Sequence, residues 1–251
     1  MLIQVISLRE SGDRRERITR QMQALSLPFE FLDAIRGSEL SPEAWEQLVA
    51  PVDEQLRLNK RLLKPNEVGC ALSHLAAYRR ILERQEPGGL ILEDDALLLP
   101  NFSKALSVLK SSQADWLVMG YPKWLAWEAR HASWIDPIVK PSALSGFFHE
   151  GMTTRNGDQG ALAYYVSRQA CQDLLALNQP VRVVADRHVF FSKTIRIRHL
   201  RPVAVMEDSG LVSTIQGKRR SNAEGLSSRQ YVGRVLKGLL RHLKKFFMEM
   251  S

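Results

Sequence analysis

Leu90-Ile91-Leu92-Glu93-Asp94-Asp95 sets three consecutive carboxylates directly behind three consecutive branched apolar residues. The apolar triplet has the pattern of a short strand buried on both faces. Gly88-Gly89 just before it reads as the end of a preceding helix. Three acids at the mouth of such a strand repel one another unless a cation or bulk water compensates them. Successive side chains alternate across a strand, so Glu93 and Asp95 are expected to share a face while Asp94 points elsewhere. Two hard oxygen ligands on one side suit Mg²⁺ or Mn²⁺, ions that bridge a diphosphate. A solvated acidic turn is the plain alternative for the same triplet.

Upstream, Asn66 can cap a helix from Glu67 to about Arg84, with Val68, Leu72, Leu75, Ile81 and Leu82 as its apolar positions. Residues 41–63 read as helical and polar. The chain opens as β-α-β: Leu2 to Leu8 as a buried strand, a helix carrying Ile18, Met22 and Leu25, then a strand from Phe29 to Ile35. Downstream, Asn101 to Leu109 reads as a helix and Trp116 to Met119 as a strand ending at Gly120. Tyr121 to Asp158 is rich in Trp, Pro, Gly and Ser and reads as long loops. Ala161 to Val166 and Ile195 to His199 are further strands, with a helix capped by Ser167 between them. Alternating strands and helices predict an α/β fold with a mostly parallel central sheet, and ligands of such sheets bind at the carboxyl ends of the strands. The acids at 93–95 fall at such an end.

The chain has 251 residues, 45% hydrophobic and 25% charged, which fits one large folded domain with or without a tail. Two cysteines, Cys70 and Cys171, with no CxxC spacing, argue against a disulfide framework and for a reducing compartment. No apolar run reaches the roughly 20 residues of a membrane span, and the start lacks the basic flank and cleavage site of a signal peptide. The reading is cytoplasmic. The net charge of +8 is concentrated: from Lys218 onward nine Lys and Arg face two Glu. Domain boundaries follow, a body over residues 1–217 and a basic tail over residues 218–251.

Five blocks in order carry a resemblance. They are Val5-Ile6-Ser7-Leu8 with Asp13-Arg14-Arg15, then Phe29-Glu30-Phe31-Leu32-Asp33-Ala34-Ile35-Arg36-Gly37, then Glu67-Val68-Gly69-Cys70-Ala71-Leu72-Ser73-His74. The acidic block Leu90 to Asp95 and the run Gly160 to Arg168 complete the set. Together they resemble glycosyltransferase family 25, the lipooligosaccharide galactosyltransferases of Gram-negative bacteria and their collagen-modifying relatives. The resemblance implies a GT-A-like nucleotide-sugar-binding fold, a divalent metal (Mn²⁺ or Mg²⁺) and inversion at the anomeric carbon. It further implies a β-galactosyltransferase that moves galactose from UDP-galactose onto a lipooligosaccharide or lipopolysaccharide acceptor. Carried onto this chain, Glu93 and Asp95 contact nucleotide ribose and metal, and Asp94 can join them. Val183 to His188 departs from the family's usual Pro-Ile-Asp type run.

An inverting transfer needs a group that takes the acceptor's hydroxyl proton. Asp186 is the first candidate base and Glu150 the second; a helix N-cap for Arg187 to Ser192 is the alternative role of Asp186. Ser73 and His74 are assigned to the donor, with a structural histidine as the alternative. Arg14 and Arg15 follow the first strand and can fork onto a diphosphate, or stay solvated at the helix start. His199 is a candidate third metal ligand. Trp124, Trp127 and Trp134 can stack on sugars or pack in the core. Two rival functions are a nucleic-acid-binding protein, suggested by the basic charge but lacking any recognised motif, and a metal-dependent phosphoesterase, which needs a denser ligand set.

In the tail, Val232, Val235, Leu236, Leu239, Leu240, Leu243, Phe246 and Phe247 recur at three- and four-residue steps, one apolar stripe on a helix. Arg234, Lys237, Arg241, Lys244 and Lys245 take the rest of its circumference. A basic amphipathic helix ending in phenylalanines suits an anionic membrane surface, here the inner face of the inner membrane where a glycolipid acceptor sits. Docking on the body or pairing in a homodimer are the alternatives.

Overall fold

The computed structural model describes residues 1–122, 131–154, 160–208 and 228–250, without the side chains of residues 228–231 and 234. Trp124 and Trp127 lie outside the described residues. The opening strand β1 (Leu2–Ser7) leads to helix α1 (Gly12–Ala24) and strand β2 (Glu30–Asp33). Two short helices, α2 (Pro42–Leu48) and α3 (Val52–Asn59), follow where one helical stretch was expected. Pro51 stands between them in an extended conformation and lacks the N–H a continuous helix needs.

Helix α4 (Pro65–Glu83) is the longest helix of the body. It begins at Pro65, one residue before the expected Asn66 cap. Proline is preorganised for a first helical position, and the Glu67 carboxylate accepts the Lys64 N–H at 2.8 Å. Strand β3 (Gly88–Glu93) contains both glycines that were read as the helix stop. They are needed for packing: a Cβ on Gly88 would stand 2.5 Å from the Tyr165 hydroxyl, and one on Gly89 2.5 Å from Ile81 Cδ1. The helix stops earlier, at Glu83, and Gln85, with a φ of 54°, turns the chain just after it.

After β3 come β4 (Ala96–Leu98), α5 (Phe102–Val108), β5 (Trp116–Tyr121) and the single-turn helix α6 (Ala132–Ile135). The stretch expected to be looped instead contains a hairpin, β6 (Ile138–Ala143) and β7 (His149–Thr153), which adds an edge to the sheet. Gly146, at φ 59°, sits in its connection. Strand β8 (Ala163–Ser167), helices α7 (Arg168–Asn178) and α8 (His188–Phe191), strands β9 (Ile197–Arg201) and β10 (Val205–Glu207) and helix α9 (Ser228–Met250) complete the described chain.

The ten strands form one sheet ordered β2-β1-β3-β8-β5-β9-β7-β6, with β10 pairing β4 and β5. Tracing direction through each pairing, β1, β2, β3, β5, β6, β9 and β10 run one way and β4, β7 and β8 the other. Most strands are therefore codirectional, but β8 enters antiparallel between β3 and β5. This is a mixed α/β sheet with cores on both faces. Ile91 faces a cluster with Leu75, Ile81, Trp116, Tyr164 and Leu174, under α4 and α7. Leu90 and Leu92 face a second cluster with Ile18, Met22, Phe102, Met119 and Leu200, under α1 and α5. Burial on both sides is why β3 reads as an unbroken apolar run.

Helix α9 docks by its polar side. Arg241 donates to the Ile135 carbonyl at 2.7 Å and Lys244 to the Thr154 carbonyl at 2.6 Å. Glu249 accepts the Lys140 N–H at 3.0 Å, and the His242 ring lies 4.8 Å from that of Trp134. Val232, Leu236, Leu239, Leu240, Leu243, Phe246, Phe247 and Met250 are left exposed. Among the described residues no helix is long and apolar enough to cross a membrane.

Candidate functional site

The acidic triplet lies where the carboxyl ends of β1 and β3 meet the start of α1, because the two strands are parallel neighbours with Ile6 opposite Glu93. Only Glu93 belongs to the strand; Asp94 and Asp95 form the turn before β4. Strand alternation therefore does not orient them, and specific partners do. Asp94 turns inward: Ser7 Oγ donates to its Oδ2 at 2.7 Å and Arg14 Nη1 to its Oδ1 at 2.7 Å. The same Nη1 reaches Asp95 Oδ2 at 3.4 Å. Burial opposes the Arg14 charge, yet Asp94 and Asp95 more than offset it and hold the guanidinium above its ordinary range.

Asp95 is left in deficit. Its Oδ1 is buried and has no hydrogen-bond partner among the described residues. Burial, then the charges of Glu93, Asp94 and Glu207, push its carboxyl up to about 8, although Arg14 works the other way. One arginine cannot neutralise three acids, so negative charge is left over at Glu93 and Asp95. Two carboxylates with one orphaned oxygen are donors of the hard type that a divalent ion such as Mg²⁺ or Mn²⁺ takes.

Arg15 is engaged with protein groups. It donates to the Ser7 carbonyl at 2.9 Å and to Asp33 Oδ1 at 2.5 Å, and its guanidinium lies 4.7 Å from the Phe31 ring centroid. The two arginines expected at a diphosphate thus both hold carboxylates, which fixes the first βα turn against the acids. Ser73 is a stitch between motifs. Its hydroxyl donates to the Gly69 carbonyl at 2.7 Å and accepts the Ile35 N–H at 2.8 Å. A Cβ on Gly69 would lie 2.4 Å from the Ile35 oxygen, so the helix block and the second-strand block meet backbone to backbone.

His74 does reach the site. Its Nε2 stands 3.5 Å from Glu93 Oε1, and its Nδ1 bonds the Tyr164 hydroxyl at 2.7 Å. Tyr164 continues to the Tyr78 hydroxyl at 2.8 Å. Cys70 joins the same cluster, its sulfur within 4.8 Å of the His74 and Glu93 ligand atoms. Asp186 Oδ2 accepts the Gly160 N–H at 2.8 Å. Its charge is felt at Cys70, whose thiol burial pushes up first and Glu93, Asp186 and Asp95 push further. The residue at the cap position of α8 is Arg187, one position after Asp186, and its side chain makes no cap hydrogen bond.

Two expected residues are set elsewhere. Glu150 on β7 pairs with Leu200, a member of the cluster under α1 and α5, and so faces away from the Ile91 side. Its carboxylate accepts from Ser112 Oγ and, at 3.0 Å, from the Gln113 N–H, holding the connection before β5. His199 is opposite Val118 on β9, and the order β3-β8-β5-β9 puts it three strands from Glu93. That is roughly 14 Å at about 4.8 Å per strand, too wide for one ion held at about 2.1 Å by each. Its Nδ1 bonds the Tyr121 hydroxyl at 2.6 Å instead.

Sequence reasoning missed Cys70, Tyr164 and Tyr78, and the Asp208 N–H that donates to the Asp95 carbonyl at 2.7 Å. The four-residue spacing of Cys70 and His74 was a usable signal, since it puts both on one helix face. The tyrosines carried none, because their role depends on two remote segments meeting.

Comparison with known proteins agrees with the sequence blocks. The family model described as "Glycosyltransferase family 25 (LPS biosynthesis protein)" matches residues 1–189. A putative glycosyltransferase of Haemophilus influenzae is 35% identical over 220 residues, covering 81% of this chain and 69% of its own. The lacto-N-neotetraose biosynthesis glycosyltransferase LgtE of Neisseria meningitidis is 27% identical, covering 68% of this chain and 58% of its own. The lipooligosaccharide biosynthesis protein lic2B of Haemophilus influenzae is 28% identical, covering 68% and 61%. The chain thus spans about three fifths of the length of these last two relatives.

Proposed function

This chain belongs to glycosyltransferase family 25, and we propose that it transfers galactose from UDP-galactose to a lipooligosaccharide or lipopolysaccharide acceptor. The observation that carries the reading is Asp95, a half-buried carboxylate with one buried, orphaned oxygen, next to Glu93 at the carboxyl ends of parallel strands. A nucleotide diphosphate leaves in such a transfer, and a divalent ion held by Glu93 and Asp95 would stabilise its negative charge. Arg14 and Ser7 keep Asp94 turned inward, so the donor meets a fixed turn. Asp186 is the proposed base for the acceptor hydroxyl in an inverting reaction, oriented through its bond to the Gly160 N–H. The names of the relatives support the acceptor class, and the GT-A-like label extends the same family reading.

The catalytic unit is proposed to span residues 1–217 and the tail to act as an anchor. Eight apolar side chains from Val232 to Met250 point to solvent while Arg241 and Lys244 hold the body. An anionic membrane surface at the inner face of the inner membrane would take that apolar row. A chain ending at residue 227 should lose sedimentation with anionic vesicles and keep turnover of a soluble acceptor. Unchanged sedimentation overturns the anchor; a truncated chain that changes oligomeric state instead assigns the row to a dimer.

The transfer reading is tested by incubating a panel of nucleotide-sugars with acceptor, with and without Mn²⁺, and measuring glycosylated product and freed nucleotide. UDP-galactose should be consumed into product, EDTA should stop it, and Asp95→Ala should fall below about a tenth of the wild-type rate, a barrier increase of roughly 1.4 kcal/mol. Full activity in chelator removes the metal assignment. Nucleotide release with no glycosylated product turns the reading to a hydrolase.

A further inference from the structure

Cys70 and His74 sit one turn apart on α4, so both project from the same helix face. Glu93 meets them from the end of β3, and the sulfur, a ring nitrogen and a carboxylate oxygen all lie within 4.8 Å of one another. His74 is 2% exposed. The Tyr164 hydroxyl takes its Nδ1 at 2.7 Å, and Tyr164 is itself held by Tyr78 at 2.8 Å. Nε2 is thereby aimed at Glu93 Oε1, 3.5 Å away, and has no hydrogen-bond partner among the described residues. An imidazole whose far nitrogen is pinned by a buried donor or acceptor, with the near one facing a carboxylate and a thiol, has the arrangement of a metal-bound histidine.

We propose that Cys70, His74 and Glu93 form a Zn²⁺ site. Sulfur, nitrogen and oxygen donors in one cluster favour zinc over Mg²⁺ or Mn²⁺, which want oxygen alone. Ligands on a tetrahedral zinc stand roughly 3.5 Å apart, so the cluster closes by rotamer changes at Cys70, which is only partly buried, and at the strand-end Glu93. The thiol releases its proton to solvent as the sulfur takes the metal. Three protein ligands leave the fourth position to solvent, which makes the zinc exchangeable. Glu93 belongs both to this set and to the acid turn; if the transfer reading holds, zinc here removes a carboxylate from the donor's ion and inhibits.

The test needs no turnover, so its failure is separate from failure of the transfer reading. Full-length chain stripped with chelator is titrated with zinc alone against a chromogenic zinc chelator. One zinc per chain should bind, and Cys70→Ser and His74→Gln should each weaken it at least about tenfold. Cobalt(II) added to the wild type should give a sulfur-to-cobalt charge-transfer band that persists in Cys171→Ser and vanishes in Cys70→Ser. Zinc, and not Mg²⁺, should slow alkylation of Cys70 in the wild type, read by peptide mass, which keeps the test decisive if a variant fails to fold. Equal zinc affinity in wild type and Cys70→Ser, no charge-transfer band, or alkylation of Cys70 unchanged by zinc each overturns the site.

Discussion

Arg14 is the side chain on which the acidic turn depends. Its guanidinium is 10% exposed and lies 2.7 Å from an equally buried Asp94 and 3.4 Å from Asp95. Removing one partner of a buried pair leaves the other charge uncompensated, which costs roughly 3–5 kcal/mol. Arg14→Ala should therefore destabilise the metal-free chain by about 3 kcal/mol in urea unfolding. Adding Asp94→Asn should recover at least about 1 kcal/mol, because the stranded charge is then gone. Strict additivity of the two losses would mean that Arg14 and Asp94 are not coupled and that the turn is held by other contacts. Asp95 shows the complementary condition: a carboxyl pushed up to about 8 chiefly by burial, next by Glu93, is unfavourable for the protein alone and favourable for a bound cation.

At the scale of elements, the decisive joint is between α4 and the segment after β2. Ser73 accepts the Ile35 N–H, and Gly37 and Gly69 approach so closely that a Cβ on either would collide with backbone. Backbone cannot give way as a side-chain end can, so Gly69→Ala should force the two segments apart and cost about 2 kcal/mol. The same shift should displace Cys70 and His74, one residue and five residues further along α4. Thermal unfolding of Gly69→Ala at wild-type temperature would show the joint to be compliant. This contact also explains two sequence blocks at once, because glycine, serine and the helix register are all needed for one junction. Its constituent residues were visible in the sequence; their mutual contact was not.

For the whole molecule, His188 couples the core to pH. It is 4% exposed, neither ring nitrogen has a hydrogen-bond partner among the described residues, and its ring centroid lies 5.0 Å from that of Trp116. Burial lowers its pKa to about 4 from 6.5. Between those values the unfolded chain takes up a proton that the native state refuses, so stability is full above about pH 6.5 and falls as pH drops toward 4. From about pH 7 to about pH 4.5 this group should cost about 2.5 kcal/mol. His188→Phe keeps the ring and removes the proton site, so its urea midpoint should fall less over that interval by an equivalent amount. Parallel curves for the two proteins would show that His188 is protonated in the native state.

The sequence alone determined what depends on local chemistry and order along the chain. Alternating elements made the fold α/β, the apolar run ahead of its acids marked the buried strand β3, and the spaced blocks identified the family. Helical periodicity is a local property, so the spacing of apolar residues in the tail could be read along the chain as well. Tertiary structure decided which residues converge. Glu150 and His199 read as site residues because carboxylates and imidazoles look alike in a sequence, yet strand order sets His199 three strands from Glu93, and Glu150 pairs on the opposite face. Cys70 and His74 joined Glu93, and both arginines closed onto acids, only because β1, β3 and α4 pack together. Distances between segments are set by the packing of the sheet and its helices, and no pattern of residues along one segment contains them.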